Sequence, residues 1–325
     1  MKLIEIVKQK VSGKDLKIVL PEGSDLRVLG AAKRLLDDGF VNPVVLGEKD
    51  EINSLAKENN LDISGLEILN AKEYDALDEL VDAFVERRKG KIDEEGAREL
   101  LLNDTNYFGT MLVFTNKADG LVSGATRSTG DTVRPALQII KMKEGYKKTS
   151  GVFFMVKGEE ILLFADCAIT IAPDANDMAE TALLSAATAK QFGIDPKVAM
   201  LSFSTKGSAK SDEVTKVSEA TKIAIEKNPQ LQLDGELQFD AAYVESVGKK
   251  KAPDSKVAGN ANTFIFPSLE AGNIGYKIAQ RLGGYEAVGP LLQGLNSPVN
   301  DLSRGCSEDD VYNLSLITAA QALDE

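Results

Sequence analysis

One stretch near the start of the chain restricts the fold more than any other. Residues 17–20 (KIVL) form a short apolar run, stopped by Pro21, Glu22 and Gly23. Ser24 or Asp25 follows as a helix cap. Leu26, Leu29, Ala32, Leu35 and Leu36 then recur at helical spacing until Gly39. Residues 43–46 (PVVL) are the next apolar run. Strand, helix and strand within about 30 residues make a βαβ unit. Its strands run parallel, and a parallel sheet needs helices over its faces.

The alternation continues. The spacing predicts helices over 76–88, 97–102, 107–116, 135–142, 177–192, 213–227, 271–282 and 311–323. Strands are expected at 120–123, within 161–171, and at 198–203, 239–244 and 263–266. The fold class is α/β throughout. At 325 residues the chain has room for two domains, and their cores need no disulfide or metal staple. The run KKKAPDSK at 249–256 reads as a solvated basic loop.

Composition excludes several function classes. There are 38 basic and 50 acidic residues, a net charge of −12, which disfavours non-specific nucleic-acid binding. An anionic substrate therefore needs a local cluster of arginines. The chain has no histidine, so Ser-His-Asp and Cys-His catalysis are ruled out and any general base is Asp, Glu, Lys, Tyr or Cys. Two cysteines, Cys167 and Cys306, give no disulfide framework, and no metal site is expected. No apolar run has the roughly 18 residues of a membrane span, and the N-terminus lacks the apolar stretch of a signal peptide. A cytoplasmic location without membrane or nucleic-acid partners follows as the expectation.

Three segments have the composition of ligand sites. The first, SGATRSTGDTVRP at 123–135, lies between a strand and a helix. Its small residues let backbone approach an anion, its hydroxyls donate, and Arg127 and Arg134 can grip phosphate with paired bonds. Thr132 is the expected N-cap, with Pro135 in the first helical turn. An ordinary capped turn has the same composition. The second, VNDLSRGCSEDDVYN at 299–313, holds Ser303, Arg304 and Cys306 ahead of an acidic helix start. Ser307 with Asp310 is close to a capping box, so Asp310 reads locally as a helix cap. Cys306 has no histidine to activate it and reads as structural. The third, TFIFPSLEAGNIGYKIAQRL at 263–282, is a strand, a turn and a helix carrying Tyr276 and Lys277. The turn after a parallel strand is where α/β ligand sites lie. A plain amphipathic helix with Lys277 in solvent is the simpler reading.

Together with KIVLPEGSDLRVLGAA, FADCAITIAPDANDMAETA, LSFSTKGS and LDGELQFDAA, these segments resemble the phosphate acetyl/butyryltransferase family over nearly the whole chain. The long motifs match its phosphate acetyltransferase (phosphotransacetylase) branch, in the short form without an N-terminal regulatory extension. The resemblance implies two α/β/α domains like those of the isocitrate and isopropylmalate dehydrogenases, with an active-site cleft between them. Domain I would be 1–139 plus 293–325, and domain II, 140–292, would be inserted. It also implies a homodimer, and the reaction acetyl-CoA + phosphate ⇌ CoA + acetyl phosphate, with coenzyme A as co-substrate and no tightly bound cofactor.

By the same resemblance Asp310 is the base, Ser303 the catalytic serine and Arg304 its companion. Arg127 likewise binds substrate; Ser128, Thr129, Arg134, Tyr276 and Lys277 are further candidate contacts read from the segments themselves. An E-x-R-K context in VERRKGK selects Arg88 over Arg87 for an anionic part of CoA, and Cys306 lies beside the cofactor. Direct attack of the CoA thiolate on the acetyl carbon in a ternary complex is the expected mechanism. Phosphate butyryltransferase shares this chemistry and differs in its pocket wall. A decarboxylating NAD(P)-dependent dehydrogenase would need an aspartate cluster for metal, which the sequence does not supply. A non-catalytic CoA- or acyl-phosphate-binding module would not need Ser303, Arg304 and Asp310 intact.

Overall fold

A computed structural model of the chain describes residues 2–323. In chain order its first elements are Lys2–Val11 (α1), Lys17–Leu20 (β1), Leu26–Asp38 (α2), Asn42–Leu46 (β2), Lys49–Glu58 (α3) and Glu67–Leu69 (β3). Next come Leu77–Arg88 (α4), Glu94–Asn103 (α5), Thr105–Phe114 (α6), Gly120–Ser123 (β4) and Thr129–Pro135 (α7). A π-helical turn at Ala136–Ile140 leads to Ser150–Lys157 (β5), Glu160–Ala165 (β6), Ala175–Gln191 (α8), Lys197–Leu201 (β7), Asp212–Lys227 (α9) and Gln232–Leu237 (β8). Phe239–Tyr243 (α10), Glu245–Lys251 (α11), Thr263–Ile265 (β9), Leu269–Arg281 (α12), Glu286–Gln293 (β10), Val299–Asp301 (β11) and Glu308–Ala322 (α13) complete it. Among the described residues no helix is long and apolar enough to cross a membrane.

The chain divides into two compact units. Ile4–Lys143 and 295–323 form one, and Glu144–Gly294, with residues 2–3, the other. The first unit is built on a five-stranded, wholly parallel sheet of order β11-β4-β1-β2-β3. Its central strands are buried on both faces, which is why KIVL, PVVL and GLVS read as unbroken apolar runs. Asp25 caps α2 by accepting the Arg27 N–H. From β1 the chain winds outward to β2 and β3, whereas β4 lies on the other side of β1. The loops after β1 and β4 therefore part at a topological switch point, where such sheets open a crevice.

The second unit holds a six-stranded mixed sheet of order β10-β5-β6-β9-β7-β8. β10, β5 and β6 are antiparallel neighbours, and β6, β9, β7 and β8 run parallel. β5 gives no sequence signal because seven of its eight residues are buried, so no polar alternation marks it. β10 contains Pro290. It is an edge strand whose register shifts at that point, and there proline removes no needed donor.

Three expectations are corrected, and the limits of one strand are set. Residues 239–244 are not a strand: Phe239–Tyr243 is a short helix, and the strand is Gln232–Leu237 just before it. Within that strand a Cβ at Gly235 would meet Met200 Cβ at 2.6 Å, so the glycine answers to strand packing. The strand expected within 161–171 ends at Ala165, where the Asp166 carboxylate gathers the N–H groups of Gly151, Ala168, Ile169 and Thr170. The helix expected at 135–142 begins instead at Thr129, capped by Ser128 through a reciprocal bond pattern with Asp131, and Thr132 lies inside it. Pro135 closes that helix; the Asp131 carbonyl, which loses its helical donor to Pro135, accepts from Asn106 Nδ2 at 3.1 Å. Lys249–Lys251 of the basic run form the last turn of α11 and are not loop.

Candidate active site at the switch point of the parallel sheet

The site starts from one buried carboxylate. Glu22, just past β1, is 7% exposed. Its Oε2 accepts from the backbone N–H of Gly124 (2.9 Å) and Ala125 (2.8 Å). Its Oε1 accepts from Thr126 N and Oγ1 (both 2.8 Å) and Arg127 N (3.0 Å). A buried charge is tolerable only when bonded this fully. The consequence is that the loop after β4 is moulded around a group from the loop after β1.

Arg27 joins that loop to the one after β11. Its guanidinium is held by the Asp25 carboxylate at 2.7 and 3.0 Å. It donates to the carbonyls of Ala125, Arg304 and Cys306, each at 2.9 Å. Leu302 N donates to Ser123 O at 2.6 Å. Gly124, at φ +112°, fits between them: a Cβ there would lie 2.5–2.7 Å from Leu302 backbone and Asp301 Oδ1. Segments 123–129 and 301–306, some 175 residues apart by number, thus form one surface.

On that surface the Arg304 side chain is exposed and has no bonding partner among the described residues. Ser303 Oγ accepts from Gly305 N at 3.3 Å. Asp310 Oδ2 accepts from Ser307 N (2.7 Å) and Oγ (2.9 Å), completing the capping box of α13. Its Oδ1 has no bonding partner among the described residues, so one oxygen orients the carboxylate and the other is open. Burial pushes the Cys306 thiol up to about 11, against the pull of Arg27 3.7 Å away, so at neutral pH it is a thiol and a poor nucleophile.

Four further arginines of this unit, Arg87, Arg88, Arg127 and Arg134, lie around α6. Arg127 reaches Asp104 (3.6 Å) and the Thr105 hydroxyl (3.4 Å). Burial raises the Tyr107 phenol, while the charges of Arg134 and Arg88 act on it in the opposite sense. Arg87 is occupied: it donates to the carbonyls of Ile139 (2.5 Å) and Ile140 (2.8 Å) and lies over the Phe114 ring. Arg88 and Arg134 have no such bonds among the described residues. Lys141 is pushed below its ordinary range by desolvation and by the positive charges of Arg87, Lys89, Arg88 and Lys91. A chain of net charge −12 thus carries a concentrated cationic patch here. A cavity of about 260 Å³ opens beside it, lined by Glu22, Asp25, Thr105, Thr126 and Arg127 among others.

Ser128 is occupied as the cap of α7, its hydroxyl donating to Asp131 at 2.7 Å. The Thr129 hydroxyl donates to Asp301 Oδ2 at 2.7 Å. Tyr276 and Lys277 belong to the second unit. There Tyr276 stacks on Phe153 with centroids 4.2 Å apart, and Lys277 donates to Asn273 Oδ1 at 2.7 Å. Sequence reasoning passed over Glu22, Arg27 and Asp301. Glu22 was absorbed into a strand stop and Arg27 into an amphipathic helix. Their one signal was position, at the C-terminal ends of parallel strands.

Comparison with known proteins places this geometry in context. A family model described as Phosphate acetyl/butaryl transferase matches residues 2–319. A phosphate acetyltransferase of Bacillus subtilis (strain 168) is 66% identical over 321 residues, covering 99% of each chain. The solved structure of a phosphotransacetylase from Staphylococcus aureus superposes with a TM-score of 0.94 at 64% identity, covering 99% of this chain and 98% of that one. A 4-hydroxythreonine-4-phosphate dehydrogenase from Klebsiella pneumoniae, 9% identical with a TM-score of 0.58 over 94% of this chain and 98% of its own, shares the fold alone. The dehydrogenase-like α/β architecture is therefore that of this chain.

Proposed function

The chain belongs to the phosphate acetyl/butyryl transferase family, and from that premise we propose that it catalyses reversible acetyl transfer between coenzyme A and phosphate. The observation that carries the reading is the Arg27 junction, which sets the Arg304 loop beside the Arg127 loop. In the direction of thioester synthesis, Asp310 takes the thiol proton through its open Oδ1. The sulfur forms a bond to the acetyl carbon as the carbon–oxygen bond to phosphate breaks, and the bonding pair leaves with phosphate. Ser303 hydrogen-bonds the developing oxyanion or the sulfur, and Arg304 and Arg127 neutralise the leaving phosphate. The proton passes from Asp310 to solvent or product. A positioned base contributes about 10²–10⁴-fold, which matters for a thiol that is only a few per cent ionised at pH 7.

Arg88 and Arg134 contact the anionic part of CoA, a role for which Arg87 has no free donors to spare. Cys306 stands beside the site as a neutral thiol. Tyr276 and Lys277 have no part in this proposal, because packing and a local bond account for them. Domain limits of 1–139 plus 293–325 around an inserted 140–292 belong to the same reading. So do a cytoplasmic location and a homodimer. Supporting the homodimer, Ile274 (58% exposed), Ile278 and Leu282 (86% exposed) form an apolar stripe at four-residue spacing along α12, a face that a second copy would cover.

The test is CoA acetylation from acetyl phosphate, followed as thioester absorbance, with butyryl phosphate beside it. Turnover with acetyl phosphate, reduced at least 100-fold in Arg304→Ala, is expected. Preference for butyryl phosphate would move the chain to the other branch of its family. CoA binding without thioester from either donor would replace the enzyme with a binding module. Exchange of labelled phosphate into acetyl phosphate without CoA would overturn direct transfer, since it requires an acyl-enzyme.

A further inference from the structure

The mechanism leaves one buried carboxyl of the first unit unused. Asp301, the last residue of β11, is 2% exposed. Its Oδ2 holds the Thr129 hydroxyl, and its Oδ1 is buried with no hydrogen-bond partner. The Thr132 hydroxyl, one turn further along α7, is also buried without a partner; it acts on the carboxyl, yet no bond of proper geometry joins them. Glu22 faces the group from the loop after β1, and the two hydroxyls face it from α7. Gly124 presents backbone from the loop after β4. Among the described residues no cation acts on it. Desolvation raises it to about 6, with Thr129 and Thr132 opposing and Glu22 adding repulsion.

Thr129 has one hydroxyl proton. While Asp301 accepts it, that proton cannot go to a ligand anion. The carboxylate also sets a negative charge under the two loops that carry Arg127 and Arg304. We propose that Asp301 is a positioning residue that governs anion capture: ionised, it retains the Thr129 hydroxyl and repels the anion, and protonated, it gives up both constraints. This rests on the reading of these loops as the phosphate site. The sign follows directly. The protonated form dominates below pH 6, so anion affinity is highest there and falls as pH rises through 6. By linkage, a bound anion must raise the proton affinity of Asp301 by the same factor.

Sulfate is the probe, because it stays dianionic across the window in which phosphate itself titrates. The chain helps, having no histidine to titrate there. Sulfate affinity is measured by calorimetry from pH 5 to 8 in the wild type, Asp301→Asn and Arg304→Ala. The wild type should weaken about 5–10-fold on going from pH 5 to 8. Asp301→Asn should hold the acidic-pH affinity throughout, and Arg304→Ala should lose binding. The same pH dependence in Asp301→Asn, or full binding by Arg304→Ala, overturns the proposal. A second measurement needs no variant: carboxyl-carbon NMR of the wild type should show an aspartate titrating near pH 6, with a midpoint that rises under saturating sulfate. A midpoint that sulfate does not move also overturns it. Acetyl transfer, assayed separately, keeps the two readings apart. Turnover without the sulfate effect removes Asp301 alone, and the sulfate effect without turnover removes the acetyl-transfer reading alone.

Discussion

Single side chains at this site do the joining that is ordinarily left to secondary structure. Glu22 accepts four backbone N–H groups and a hydroxyl, and Arg27 donates to three carbonyls. Neither was legible in sequence, because a charge beside a strand end looks the same whether it is solvated or buried. Arg127, Arg304, Ser303 and Cys306 stood out in sequence because small and hydroxylic residues surround an arginine there, although an ordinary capped turn has the same composition. The same scale decides what Cys306 does. With its thiol held at about 11, it is ionised to a negligible extent at pH 7. Cys306→Ser should therefore keep acetyl-transfer rates within about tenfold of the wild type, where loss of a nucleophile costs far more. A loss of 10⁴-fold or greater in steady-state turnover would assign the thiol a chemical role.

At the scale of elements, legibility followed burial. β1, β2 and β4 are short apolar runs and were located to within a residue. β8 contains Asp-Gly, β10 contains Gly-Pro, and β5 lacks alternation, so tertiary packing overrode each local signal. α7 is the element that matters most to the site, and its form depends on a neighbour. Asn106 in α6 is 1% exposed; it donates to the Asp131 carbonyl and accepts from Ser123 Oγ at 2.9 Å. Asn106→Leu would leave the buried Ser123 hydroxyl and the part-buried Asp131 carbonyl without their partner, at a cost of about 1–3 kcal/mol. Urea denaturation should show the shift in midpoint. Thr129 and Arg127 would lose their setting, so acetyl transfer should fall more than stability does at a denaturant-free pH 7.

Across the whole molecule, the periodicity of the sequence held no sign that a strand of three residues near the end completes a sheet begun at residue 17. β11 pairs with β4, and α13 packs against α2 and β4. Glu144–Gly294, by contrast, is contiguous and has its own aromatic core around Phe153, Phe164 and Phe264. A fragment of residues 144–294 should therefore fold alone, with native-like circular dichroism and cooperative melting, whereas residues 4–143 alone should not. A cooperative melt of 4–143 would show that β11 and α13 are dispensable to that unit. The same layout sets a schedule for synthesis. At roughly 5–20 residues per second, about 8–30 s pass between the emergence of Lys143 and that of Leu295 from the ribosome. Throughout that interval the nascent sheet has an open edge beside β4, and Arg27 lacks the Arg304 and Cys306 carbonyls to which it is to donate. The segment bearing Ser303, Arg304 and Asp310 is made only after the whole of Glu144–Gly294, so a ribosome that stalls before it leaves a first unit without those residues.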